Sequence, residues 1–196
     1  AQPFNALRVT LSSNYSYNWR RQDQYVRTIE APQGTRTIVG QVSQNTLRFT
    51  GRLTFNLTPD LTVQYYGQPF ITRPVYRHFA YVTNPLARRY DDRFRVFGAN
   101  QITLVGDSYE VDEDADGNAE YRFRRPDFNF VQFRSNFVVR WEYKAGSELY
   151  LVWAQGSTAE AAGELDTPLA GSLWDNAFAG GSRNSFLIKW TYRFLK

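Results

Sequence analysis

The 196-residue chain contains no cysteine, no methionine, a single histidine, and three lysines beside twenty arginines. Without cysteine there is no disulfide scaffold, thiolate metal site or cysteine nucleophile. The lone His78 leaves no histidine-based zinc site and only one candidate base for a catalytic triad. With no methionine, residue 1 is not an initiator, and the chain is expected to be a processed product or a fragment. Long hydrophobic runs are also missing. The longest, Leu149 to Ala154, is far short of the roughly 18–20 residues of a spanning helix. The N-terminus shows no basic segment followed by an apolar one, so no signal peptide is visible.

Aromatic residues are abundant, at 17% of the chain, although the mean hydropathy is -0.52. A chain polar on average yet rich in rings must separate the two classes locally, and it does so with period two. Leu7, Val9 and Leu11 interleave with Arg8, Thr10 and Ser12. Leu47, Phe49, Gly51, Leu53 and Phe55 interleave with Arg48, Thr50, Arg52 and Thr54. Phe133, Phe137, Val139 and Trp141 alternate with Arg134, Asn136, Val138 and Arg140, and Phe186, Ile188 and Trp190 close the series. No helix has a credible start signal; the stretch 159–165 reads as loop. Short turns at Pro59-Asp60 and at 144–147 can join only antiparallel neighbours. The fold class expected is all-β and antiparallel.

A soluble sandwich buries its apolar face, whereas a membrane barrel turns that face to lipid and its polar face to the lumen. Length favours the barrel. Soluble strands cluster near five or six residues, while alternation here holds over 5–19, 43–58, 128–143 and 185–194, with a weaker strand expected over 24–30. The apolar face also ends in Tyr and Trp, as an interfacial girdle does. The expectation is an antiparallel transmembrane β-barrel, or the C-terminal part of one, with about seven long strands and an extracellular hairpin. It forms a single segment over 1–196, with long outer loops near 72–127 and 156–183. Lipid-facing positions are Leu7, Val9, Leu53, Phe55, Val139, Trp141, Ile188 and Trp190. Lumen-facing positions are Arg8, Arg48, Arg52, Arg134, Arg140, Glu142, Lys189 and Arg193. The terminal run Trp190 to Phe194 resembles the aromatic signal that ends bacterial outer-membrane barrels, with Leu195 and Lys196 added beyond it.

The stretch Ser135-Asn-Phe-Val-Val-Arg-Trp-Glu-Tyr-Lys-Ala-Gly-Ser-Glu-Leu149 with Val152-Trp153 resembles a signature of one Bacteroidetes-type family of unknown function. So does Leu53 to Phe70, with its central Thr58-Pro59-Asp60-Leu61, and Gln24-Tyr25-Val26 fits as well. The resemblance covers most of the chain, from about residue 5 onward. It implies the C-terminal barrel of a protein that usually carries an N-terminal module similar to carbohydrate-binding family 9, placed in the bacterial outer membrane. It implies no biochemical role.

Asp112, Asp114 and Asp116, with Gly117 and Glu120, place acidic oxygens at alternating positions. An EF-hand fails because its twelfth position is Phe123. A shorter calcium loop and a solvated Asp-Gly turn between strands near 101–111 and 119–125 both remain open. No other cofactor is expected. Arginines over 73–95 and acids over 107–127 suit pairing at an outer rim, or contact with lipopolysaccharide phosphates, and the acidic block excludes nucleic acid. Arginines at mid-strand suit either a cationic lumen for anionic solutes or a lumen plugged by paired side chains. No nucleophile elbow or phosphate loop is present, and nothing fixes the separation of a carboxylate pair such as Glu142 with Glu148. The chain is expected not to be an enzyme. The rival reading is a soluble all-β carbohydrate-binding domain with its aromatics as sugar platforms.

Orienting seven spanning strands by their short turns puts residue 1 outside the cell. Even strand counts then require an outward strand before it. Strand 5–19 is thus expected to be an edge completed by upstream sequence or by another chain.

Overall fold

The computed structural model describes residues 6–161 and 165–194. Its elements, in chain order, are β1 (Leu7–Ala31), β2 (Gly34–Asn56), β3 (Leu61–Val82), β4 (Phe94–Val96), β5 (Ile102–Val105), β6 (Ser108–Val111), β7 (Tyr121–Arg124), β8 (Asn129–Lys144), β9 (Ser147–Ala161), α1 (Leu169–Asn176) and β10 (Arg183–Thr191). The chain is all-β and antiparallel, and α1 is the one α-helix among the described residues. The principal sheet has the order β1-β2-β3-β8-β9-β10, with β4 added on β3, and β5-β6-β7 form a second sheet. The order opens on β1 and closes on β10, which are not neighbours in it.

Several expectations are corrected. Among the described residues the long strands number six rather than seven, because 5–19 and 24–30 belong to the single strand β1. The backbone stays extended through Arg20 to Asp23. There the Asp23 N–H donates to the Tyr90 hydroxyl at 2.8 Å. The parity argument falls with the count. The Asn56 N–H donates to the Ala6 carbonyl at 2.8 Å, so β1 starts beside the 57–60 turn. β10 ends at the same side, where the Arg193 N–H reaches Ser147 Oγ at 3.0 Å.

The expected outer loops are also shorter than 72–127 and 156–183, since β3 runs on to Val82 and β9 to Ala161. His78 is therefore a strand residue, at a φ of 50°. The expected hairpin is a three-stranded sheet, in which 102–111 is itself a hairpin about Gly106-Asp107. Lastly, a helix does form, at Leu169–Asn176 rather than nowhere. Its Pro168 cap position makes no side-chain bond, so packing must hold it.

The chain divides into two compact units, and β1, β2 and β3 contribute to both. In the first unit (1–16, 46–72, 129–196), Leu173 of α1 is fully buried against Ile71 and Val131, with Leu47, Phe49 and Leu169 around them. Trp174 stacks on Phe49 at 5.9 Å, and Phe178 meets Phe133 edge-on at 4.9 Å. The second unit (17–45, 73–128) has an aromatic core of Phe79, Tyr81, Phe97, Tyr121 and Phe123 with Ile38 and Val111.

An ion pair closes that core. Arg36 Nε lies 3.0 Å from Glu113 Oε2, its Nη2 lies 2.9 Å from Oε1, and the Tyr121 hydroxyl donates to Oε2 at 3.0 Å. The Arg36 guanidinium also sits 5.0 Å from the Tyr81 ring centre. Burial pushes the Glu113 carboxyl up, but the hydrogen bonds from Arg36, Tyr121 and Tyr81 outweigh it and hold the group below the usual range. Its contribution to stability is therefore present above the ordinary glutamate pKa and lost as pH falls through the depressed one. Glu113→Gln should cost about 3 kcal/mol by leaving Arg36 unpaired. Urea denaturation at pH 7 should show that loss, and the gap to the parent chain should narrow in acid.

Candidate functional site

Pairing across β3, β8, β9 and β10 sorts side chains into rows. On one face these are Leu61–Trp141–Leu149–Trp190, Val63–Val139–Leu151–Ile188 and Tyr65–Phe137–Trp153–Phe186. The expected lipid-facing residues of this region fall together here, and β2 adds Leu53 and Phe55. Leu11 of β1 also stands on this face, its Cδ2 being 3.5 Å from a Cβ built at Gly51. On β10 these side chains are exposed rather than packed: Phe186 is 76% accessible, Ile188 72% and Trp190 67%. Leu7, Val9, Leu53, Phe55 and Val139 are half-buried.

At the turn end the rings carry polar tethers. The Trp190 indole N–H donates to the Tyr143 hydroxyl at 2.7 Å, that hydroxyl donates to the Thr191 carbonyl at 3.1 Å, and Lys144 Nζ donates to the Tyr192 hydroxyl at 3.0 Å. Such rings, apolar in body and polar at the rim, suit a water–lipid boundary. At the other end the band stops at the small polar row Gly67–Ser135–Gln155–Asn184. Beyond it α1 covers the sheet, and Leu11, Gly51, Gly67, Pro69, Phe133 and Trp174 line an apolar hollow of about 550 Å³.

The opposite face carries the rows Thr62–Arg140–Tyr150–Lys189, Gln64–Val138–Val152–Leu187, Tyr66–Asn136–Ala154–Ser185 and Gln68–Arg134–Gly156–Arg183. Of the expected lumen-facing residues, Arg134, Arg140 and Lys189 thus share one face, with a single apolar row among them. Arg140 pairs with Glu148 at 3.0 Å through Nε and with Glu142 at 3.7 Å, and the Tyr150 hydroxyl donates to Glu148 at 3.1 Å. The Glu142–Glu148 pair is therefore spent on an arginine and on the Gly146 N–H, 2.9 Å from Glu142 Oε1. Arg48 lies 5.4 Å from the Phe70 ring centre, Arg52 5.1 Å from Tyr66 and Lys189 Nζ 5.7 Å from Tyr150. Cations resting on rings keep their charge available, unlike those in tight ion pairs. Arg8 and Arg134 are exposed, and Arg193 lies just past the end of β10 with its side chain against Gly146. Sequence reasoning missed Arg183, which shares the row of Arg134, because it lay in the expected outer loop.

Asp112, Asp114, Asp116 and Glu120 do come together, each offering a carboxylate oxygen within 4.8 Å of the others. Part of their capacity is already used: Asp112 accepts the Asp116 and Gly117 N–H groups at 3.0 and 2.7 Å, and Glu120 accepts that of Glu113 at 2.6 Å. Hard oxygen donors of this kind fit calcium, and the same bonds build an Asx-type turn without it. Of the acidic stretch, Glu113 is neutralised by Arg36, Asp107 by Arg124 at 2.9 Å and Asp127 by Arg125 at 2.8 Å.

No family model, curated protein or solved structure matches the chain. The functional reading therefore rests on this geometry.

The Asp116 N–H pulls the Asp114 carboxyl down, but desolvation and the charges of Asp116, Glu120 and Asp112 leave it above the usual aspartate range. A raised acid disfavours the folded state once it ionises, so the penalty is absent in acid and appears as pH rises past the ordinary aspartate value. Asp114→Asn should accordingly raise the melting temperature at pH 7 in chelator. The gain should vanish near pH 3, as thermal scans across that range will show.

Proposed function

We propose that the chain is a wall of a bacterial outer-membrane β-barrel, non-enzymatic, acting as a conduit or as a membrane anchor. The carrying observation is the exposed band of Leu, Ile, Trp and Phe over β3, β8, β9 and β10, backed by a face of arginines, lysine and amides. Water would expose those rings at a cost of roughly 25 cal/mol per Å² of apolar surface. Lipid removes that cost, and a wet lumen solvates the arginines on the other side. Strand length supports the same reading: β8 has 16 residues and β9 has 15, against the roughly 9–11 that cross a bilayer at a tilt. The resemblance of Ser135 to Trp153 to the barrel signature of the Bacteroidetes-type family points the same way. That family also suggests the anchoring of a separate carbohydrate-binding module.

In this reading β1 and β10 do not close on each other. Their free edges pair with further strands, from upstream sequence or from another chain, and the barrel is larger than this segment. An unpaired strand edge in lipid would leave backbone groups unsatisfied at several kcal/mol each. The even number of long strands, with β1 starting where β10 ends, fits insertion of this segment into a barrel without reversing any strand.

Arg52 and Leu53 are neighbours on opposite faces and make the test. Leu53→Arg should block assembly in detergent or bilayers, since arginine at the lipid midplane costs about 2–4 kcal/mol. Arg52→Leu should assemble normally, read by resistance of the folded species to cold SDS. Equal tolerance at the two positions, or a parent chain monodisperse in plain buffer, contradicts the proposal and favours the soluble sugar-binding rival.

A further inference from the structure

The hollow beside α1 lies on the apolar face, within the first unit, and holds about 550 Å³. Its floor is a pair of glycines. The Thr46 and Thr72 hydroxyls lie 3.1 Å apart, Gln68 donates to Thr50 at 3.2 Å and Thr62 donates to Asn56 at 3.0 Å. These bonds fix the pairing of β2 with β3 and set Gly51 opposite Gly67. By the same pairing, Leu53 and Tyr65 stand on one side of the floor, Phe49 and Pro69 on the other. Leu11 of β1 closes one end, and Trp174, stacked on Phe49, adds a wall from the helix. Two of these walls face outward: Leu11 is 80% accessible and Trp174 58%.

The two glycines differ. A Cβ at Gly67 would meet the Tyr65 ring at 3.1 Å, so packing explains that residue. A Cβ at Gly51 would meet Leu11 at 3.5 Å and the Gly67 carbonyl oxygen at 4.0 Å, which are ordinary contacts. Gly51 has no positive φ, and the pairing runs unshifted from Thr46 to Asn56, so neither a turn nor a bulge calls for it. Glycine in mid-strand costs conformational entropy and packing, and such a position marks close approach by a ligand.

The lining sets that ligand's chemistry. None of the residues around the hollow is charged. An ion or a sugar would leave most of its hydrogen bonds unmade against Leu11, Phe49 and Trp174. A peptide strand would find no backbone to pair with, since β2 lies between β1 and β3. A hydrocarbon chain asks for neither. Tyr65 also heads the exposed row Tyr65–Phe137–Trp153–Phe186, so the hollow continues the apolar band.

We propose that this hollow seats one acyl chain of a membrane lipid, laid over Gly51 and against Trp174. The proposal rests on the lipid-facing reading of this face and names a fixed lipid position within it.

The test is tryptophan quenching in vesicles of phosphatidylcholine whose acyl chains are brominated at mid-chain, since bromine quenches an indole that it touches. The full chain is reconstituted with Trp174 as its only tryptophan, the other four of its five being changed to Phe, and a companion keeps only Trp190. Relative to unbrominated vesicles, both are expected to be quenched. Gly51→Leu should reduce the quenching of Trp174 roughly two-fold or more, because the leucine fills the space of the acyl chain, and should leave that of Trp190 unchanged. Gly51→Ala should give a smaller loss, which keeps the series decisive if the leucine variant does not fold. Gly156→Leu, on the opposite face with nothing within 4 Å of a Cβ placed there, should change neither. Trp174 quenching that ignores residue 51 overturns the site and leaves the lipid-facing wall standing. Unquenched Trp190 overturns that wall, and unquenched Trp174 overturns the site.

Discussion

The unbroken register of β8 between β3 and β9 is the constraint on which everything else rests. From Leu61 opposite Trp141 to Thr72 opposite Phe130 no residue is skipped, and β8 holds β9 equally from Asn129 to Glu142. The irregularity falls at Glu142/Lys144, beside the turn, where it reverses nothing. A slip of one residue in the middle would send Val139 and Trp141 to the arginine face and Arg140 to the apolar one. The backbone ladder therefore supplies more than hydrogen bonds. It makes one face continuously apolar across four strands and keeps the cations on the other.

The two units solve the burial problem differently. The second packs Phe79, Phe123, Tyr81 and Phe97 inward and seals the rim with Arg36 and Glu113. In the first, the fully enclosed cluster is Ile71, Val131 and Leu173, while Trp141, Phe186, Ile188 and Trp190 stand outside. An apolar surface of that extent on a folded chain marks a contact with something apolar. In the proposed reading that partner is lipid, which suits its position on the strands, its tethered aromatic end and the cationic face behind it.

The alternation made the two faces legible because period two is a direct image of the pleat: Arg48, Arg52, Arg134, Arg140 and Lys189 needed no tertiary information. Other features depended on it. The expected strands 5–19 and 24–30 are one, and nothing local signals that Tyr90, 67 residues away, will bind Asp23. The helix α1 lacks a capping side chain and gains its order from Leu173 and Trp174 docking on distant strands. Arg36 and Glu113 lie 77 residues apart, and their pairing has no sequence signature. Arg183 joins Arg134 only through Gly156, so that juxtaposition is a property of the register. The acidic loop was the opposite case, since neighbours in sequence had to be neighbours in space.

Spin-label accessibility along β10 in reconstituted bilayers tests the central claim most directly. Single labels would be placed in turn at 185 to 190 and probed with oxygen, which enters lipid, and a polar nickel chelate, which does not. The account predicts high oxygen exposure at Phe186, Ile188 and Trp190 and low exposure at Ser185, Leu187 and Lys189. Oxygen exposure without this alternation, or nickel access dominating at Ile188, would contradict a lipid-facing wall.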